Sequence, residues 1–157
     1  KLSPDIDPSF LFPTEGFNFR NTEMGAVLGL VQLKKLDAFI QRRSANYKQF
    51  FRTMQQHPWI ETLPSPRGNS AMTLPFHCKT TEQKEKLKNY LKELGVETRP
   101  FLVGNLLRQP FMSDYTKKPY LPNSEEIHTN SFYIGNNHFI TPLQVFDLAQ
   151  ELYKCAV

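Results

Sequence analysis

The 157-residue chain is poor in most features that mark a specialised class of protein. Its two cysteines, Cys78 and Cys155, are too few for a disulfide framework or a zinc site. They are expected to be the reduced thiols of a cytoplasmic protein. No run approaches the ~20 apolar residues that a membrane helix needs. The segment Lys1 to Asp5 carries no apolar core of a secretory signal, and no membrane partner is expected. The chain begins without a Met, so it is expected to start part-way through a longer protein. Lys and Arg outnumber Asp and Glu by 19 to 15, a net charge of +4. These cations are spread, however: the longest basic clusters are the pairs Lys34-Lys35, Arg42-Arg43 and Lys117-Lys118. A nucleic-acid binder gathers its cations on one face, so no nucleic-acid partner is expected. A few Arg or Lys suffice for a small phosphate-bearing ligand. Seven Gly and 12 Pro exclude a collagen-like or low-complexity chain. The common catalytic signatures are missing as well. There is no glycine-rich dinucleotide or phosphate loop, no paired metal-binding His or Cys motif, and no nucleophile elbow. His57, His77, His128 and His138 are scattered without ligand spacing.

Aromatic residues are abundant at 13%, with 13 Phe. Such a chain has large side chains to bury, in a core or in an interface. Residues 1–21 are rich in Pro and Phe without a period. They read as an extended arm whose Phe10, Leu11, Phe12, Phe17 and Phe19 need cover from elsewhere. Residues 22–57 carry apolar side chains at three- and four-residue steps and read as one long helix. Asn21 or Thr22 can cap it, and the Leu36-Asp37 region can bend or split it. Gly25 and Gly29, four apart, suggest a face that something approaches closely. Residues 58–157 read as an α+β unit. Its parts are a loop over 58–69, a strand over 70–78, a helix over 80–94 and a strand over 96–102. An irregular stretch over 104–123 follows, with one short helical turn at Leu106 to Met112. Then come a helix over 124–129, short extended pieces at 131–134 and 138–140, and a last helix opened by Thr141-Pro142. The fold class is therefore α+β: a long N-terminal helix followed by a small, mainly antiparallel sheet covered by helices on one side.

Three local signals bear on chemistry, and each has a plain structural alternative. Gly16-Phe17-Asn18-Phe19-Arg20 precedes the long helix, where free N–H groups, the Asn18 amide and the Arg20 guanidinium could receive an anion. It could equally be a capping turn. Thr98-Arg99-Pro100-Phe101-Leu102-Val103-Gly104-Asn105 is a strand running into a Gly-Asn turn, either a ligand loop or an ordinary strand end. Phe132-Tyr133-Ile134-Gly135-Asn136-Asn137-His138, whose Gly-Asn-Asn run permits positive φ, is either a ligand-facing turn or simply a tight one. His77-Cys78 lies in a strand pattern, where neighbours point to opposite faces. This favours a structural His over a Cys/His catalytic pair.

Gly16 to Leu33, GFNFRNTEMGAVLGLVQL, resembles the segment G-Y-N-Y-R-x-T-E-x-x-A-x-x-G-x-x-Q-L of the DegT/DnrJ/EryC/StrS family of pyridoxal-phosphate-dependent sugar aminotransferases. The later strand-helix-strand pattern extends the resemblance over nearly the whole chain. The Gly104-Asn105 loop and Phe132-Tyr133-Ile134-Gly135-Asn136 look most like the subgroup of nucleotide 4-keto-6-deoxyhexose 3-dehydratases. The resemblance implies the small domain and interface helix of a fold-type I enzyme that acts in deoxysugar and polysaccharide biosynthesis. It implies pyridoxal 5'-phosphate as cofactor, a nucleotide-diphosphate sugar as substrate, and a homodimer. A large cofactor-binding domain would lie upstream, carrying the Schiff-base Lys or, in the dehydratases, a His. No Lys here has the family's S-F-x-x-x-K context, so this chain alone is expected to be inactive and contributes no catalytic residue. By the same resemblance Asn18 and Arg20 are cofactor-binding candidates. Asn18 would reach across a two-fold interface to the partner's cofactor phosphate. Arg99, Gly104, Asn105, Arg108 and Asn136 are substrate-binding candidates. A stand-alone, non-catalytic module derived from the same fold, binding a sugar nucleotide or a protein, is the other reading.

Overall fold

A computed structural model describes residues 6–63, 68–114 and 119–156. The apolar periodicity over 22–57 yields two helices, not one. They are α1 (Glu23–Leu33) and α2 (Leu36–Met54), parted at Lys34 and Lys35. Thr22 caps α1, accepting the Gly25 N–H at 3.1 Å. The arm is not wholly irregular, because Pro8–Phe10 form a 3-10 turn that the Asp7 side chain caps.

Among the described residues four strands follow: β1 (Ile60–Glu61), β2 (Thr73–Cys78), β3 (Thr98–Pro100) and β4 (Ser131–Gly135). They form one sheet in the order β1-β2-β4-β3, with every pairing antiparallel. The strand β1 falls inside the expected loop over 58–69. Two residues are too few for alternation to be visible. The remaining helices are α3 (Thr81–Glu93), α4 (Pro122–Asn130) and α5 (Pro142–Cys155). Thr80 caps α3, and Thr141 forms a full capping box with Gln144. The 138–140 piece is a turn, not a strand: the Asn137 carbonyl accepts the Ile140 N–H and the Asn137 side chain accepts the Phe139 N–H.

The core lies between one sheet face and helices α2, α3 and α5. Phe76 stacks on its cross-strand partner Phe132 at 4.7 Å, and Phe50 of α2 meets Phe76 edge-on at 5.2 Å. Leu74, Leu87, Leu91, Met54 and Leu152 complete it. At roughly 1.5–3 kcal/mol per fully buried side chain, this cluster is the main stabilising term. The opposite face is not bare. His77 and Ser131 are buried on it and joined at 2.9 Å, while Glu126 of α4 stands 3.8 Å from His77. Cys78, on the core face, has its thiol pushed up to about 12 by burial. The pair is thus structural, with no thiolate to act as a nucleophile.

The α1 helix differs from the rest. Met24, Val27, Leu28, Leu30, Val31 and Leu33 are all exposed, as are Phe17 and Phe19 before it. A Cβ built at Gly29 would meet nothing within 4 Å. Among the described residues, Phe39, Arg43 and His138 border the face that the two glycines mark, and they leave Gly29 half-buried and the apolar side chains around it exposed. Among the described residues, no helix is long and apolar enough to cross a membrane.

Candidate functional site

The strand β3 ends at Pro100, and the chain turns through Gly104 into two 3-10 turns, Leu106–Arg108 and Pro110–Met112. Gly104 has φ +68, and a Cβ there would lie 2.0 Å from Nδ1 of His128 on α4. Only glycine lets the loop pass this close to the imidazole. The next residue, Asn105, is 3% exposed. Its Oδ1 accepts the Leu107 N–H at 3.0 Å, capping the first 3-10 turn, and its backbone N–H donates to His128 Nδ1 at 3.3 Å. Nδ1 must be unprotonated to accept that bond. Burial, and secondarily the nearby Arg108 cation, hold His128 below the ordinary imidazole range and favour this neutral form.

Glu125, one helical turn before His128, organises the rest. Its Oε1 accepts the Asn105 amide at 2.6 Å, and its Oε2 accepts Nε of Arg108 at 2.7 Å. The Arg108 hydrogen bond is the main reason that the Glu125 carboxyl lies below the usual carboxylate range. A cleft of about 680 Å³ opens here, lined by Asn105, Leu107, Arg108, Tyr120, Glu125 and Thr129 among others. A guanidinium held by Glu125 in the lining of a cleft puts a cation where phosphate oxygens could be received.

The structure thus brings Gly104, Asn105 and Arg108 together. It does not bring the other candidates to this cleft. Arg99 lies on the exposed edge strand β3, with its guanidinium 2.6 Å from Glu97. Asn136 is 3% exposed, and its amide belongs to the fold. It donates to the Ala71 carbonyl at 2.7 Å and the Arg43 carbonyl at 3.0 Å, and accepts from Asn46 at 3.1 Å. Asn18 and Arg20 lie in an exposed extended stretch ahead of α1, well apart in sequence from the Arg108 cluster. Glu125, His128 and Gln109, discussed below, are absent from the sequence-based candidates. Glu125 and His128 carried one signal, a Glu-x-x-His spacing that places both on one side of a helix. Among the described residues no group of His, Cys, Asp and Glu could hold a metal ion.

Residues 7–152 match the DegT/DnrJ/EryC1/StrS aminotransferase family. The GDP-4-keto-6-deoxy-D-mannose 3-dehydratase of Escherichia coli O55:H7 is 30% identical, covering 98% of this chain and 41% of that protein. The enzyme of the same name from Yersinia pseudotuberculosis is 31% identical, covering 95% and 40%. The solved structure of the E. coli GDP-4-keto-6-deoxy-D-mannose-3-dehydratase with bound hydrated PLP superposes with a TM-score of 0.73 at 30% identity. It covers 94% of this chain and 38% of that one. The chain thus spans about two fifths of the length of the curated relatives that it matches. It belongs to the DegT/DnrJ/EryC1/StrS aminotransferase family.

Proposed function

We propose that this chain is the C-terminal part of a pyridoxal-phosphate-dependent enzyme that removes the C3 hydroxyl of a nucleotide-diphosphate 4-keto-6-deoxyhexose. The observation that carries this reading is the 30–31% identity to two 3-dehydratases along 95–98% of the chain. Amination of the same class of sugar is the second reading, supported by the family itself. Polypeptide upstream of Lys1 supplies the large domain and the Lys or His at the reacting carbon.

Pyridoxal phosphate, when bound, supplies the electron sink for breaking bonds next to the sugar carbonyl. The residues of this chain fit one end of it. The Asn18 amide, the Arg20 guanidinium and the first-turn N–H groups of α1 form a donor set suited to a phosphate dianion. They precede an apolar helix face that the described residues leave largely exposed, which suits delivery across a two-fold interface with a second copy. Arg108, held by Glu125, binds the substrate diphosphate, and Arg99 adds a second cation at the sheet edge. Gly104 lets the loop backbone come close, and Asn105 fixes its shape. Asn136 acts from behind, tying α2 to the turn after β4. These residues bind and orient, and proton transfer belongs to the upstream half.

The test uses the full-length polypeptide with pyridoxal phosphate, an amino donor and a nucleoside-diphosphate 4-keto-6-deoxyhexose. Product mass decides. Loss of one oxygen atom supports 3-deoxygenation, and exchange of the carbonyl oxygen for an amine supports transamination. Turnover of neither kind overturns the proposal, as does a natural protein that starts near Lys1.

A further inference from the structure

The structure assigns Gln109 the role of a positioning residue that sets where the Asn18–Arg20 turn leaves this domain. This rests on the cofactor-side role proposed above for that turn. Gln109 is 2% exposed, between residues that are only half-buried. Its side-chain amide lies along the arm. Nε2 donates to the Phe10 carbonyl at 3.0 Å, and Oε1 accepts the Phe12 N–H at 3.0 Å. The Phe12 carbonyl in turn accepts the Phe111 N–H at 3.4 Å. A carbonyl and an N–H two residues apart face the same way on an extended chain. The amide therefore takes the place that a neighbouring strand would fill.

Burying a side-chain amide is unfavourable unless both of its ends are bonded. Here both bonds go to the arm, so the Gln109 site is complete only with the arm docked. Ile6 anchors the arm further back at 8% exposed. The segment from Ile6 to Phe12 is thus fastened. Asn18 lies six residues beyond the clamp, a reach of at most about 20 Å. On its other side the Thr22 cap begins α1. The turn is tethered at both ends. Gln109 also follows Arg108 directly, so the phosphate-facing turn and the substrate-facing guanidinium hang from one dipeptide.

The experiment compares wild type, Gln109→Leu, Gln109→Glu and Asn18→Ala in the full-length protein. It reads amide exchange at Phe12, affinity for pyridoxal phosphate by fluorescence, and affinity for GDP. Gln109→Leu should speed Phe12 exchange and weaken cofactor affinity about tenfold, the size of two lost hydrogen bonds. GDP affinity should hold, because Glu125 keeps Arg108 in place. Gln109→Glu keeps the side-chain volume and the acceptor for the Phe12 N–H, but an ionised carboxylate sets a second acceptor against the Phe10 carbonyl, and only the protonated acid can donate there. It should show the same pattern at neutral pH and approach wild type as the carboxyl takes up a proton, and it serves if the Leu variant does not fold. Faster exchange with unchanged cofactor affinity, while Asn18→Ala weakens that affinity, overturns the role of Gln109 alone. Cofactor and GDP affinity falling together in both Gln109 variants overturns it as well, in favour of general loosening. An unchanged cofactor affinity in Asn18→Ala overturns the proposed role of the turn, and the inference with it.

Discussion

Nε of Arg108 stands 2.7 Å from Oε2 of Glu125, and the other oxygen of that carboxylate takes the Asn105 amide. One acidic side chain thus sets the direction of a guanidinium and the path of the loop before it. Glu125→Ala should weaken binding of a nucleoside diphosphate several-fold and lower stability by about 1 kcal/mol, since the pair is part-exposed. Titration calorimetry and urea unfolding check the two effects. Because the folded-state carboxyl ionises below its usual range, its contribution is complete above the unfolded pKa. It is lost as pH falls through the folded one.

Gly104→Ala should be among the most damaging single changes. The new Cβ would fall against the His128 ring at a positive φ. Either the loop shifts or the imidazole turns away and drops its bond to Asn105. About 2–4 kcal/mol of stability should be lost, read as a lower urea midpoint.

Asn136→Ala should cost a similar amount. Two backbone carbonyls, of Arg43 and Ala71, would each lose the Asn136 amide as a donor, and Asn46 would lose one of its three acceptors. Each such loss costs about 1–3 kcal/mol. Direct lining of the substrate cleft predicts something else, namely a loss of nucleotide affinity with stability intact. Measuring both separates the two.

The fold was legible in the sequence where local chemistry decides. Thr22, Thr80 and Thr141 cap the helices that they precede. Leu87 and Leu91 are fully buried, as the three- and four-residue steps require. The break near Leu36 was visible as a possible split. What failed was what only long-range packing decides. Leu94 continues the apolar face of α3 in sequence yet is 42% exposed, because it lies just past the last turn of that helix. The strand β1 exists only because β2 accepts it. In the site, Gly104, Asn105 and Arg108 came from one contiguous segment and were found together. Glu125 and Gln109 act through partners 17 to 99 residues away, and no spacing rule reaches that far.

His57 should give the chain a pH-sensitive stability. Its ring is buried between the ends of α2 and α5, with Nε2 3.2 Å from the Leu152 carbonyl and Nδ1 accepting the Trp59 N–H. Burial lowers its pKa, and the nearby Lys79 lowers it further. The native state therefore takes up a proton less readily than the unfolded one. Stability is complete above about pH 6.5 and falls as pH drops below it toward the folded pKa. The urea midpoint should decline between pH 7.5 and 5.5, less so in His57→Gln.

Cys155 should react with iodoacetamide well before Cys78. The Cys78 thiol is buried, with its pKa pushed to about 12; partial burial raises the Cys155 thiol as well, but Cys155 is only half-buried and so remains within reach of the reagent. Peptide mapping after brief alkylation of the folded protein should place the label at Cys155, with Cys78 modified only in urea.

The α1 helix has 11 residues, and Lys34 and Lys35 part it from the α2 helix that packs on the core. A helix of that length is marginal in water when nothing is laid against it. With the two-fold interface proposed above, its coil-to-helix balance should depend on how much protein is in the tube. On that proposal dilution would lower the ellipticity of this segment while β2 and β4 stay intact, so folding of α1 and encounter with a second molecule would be one event.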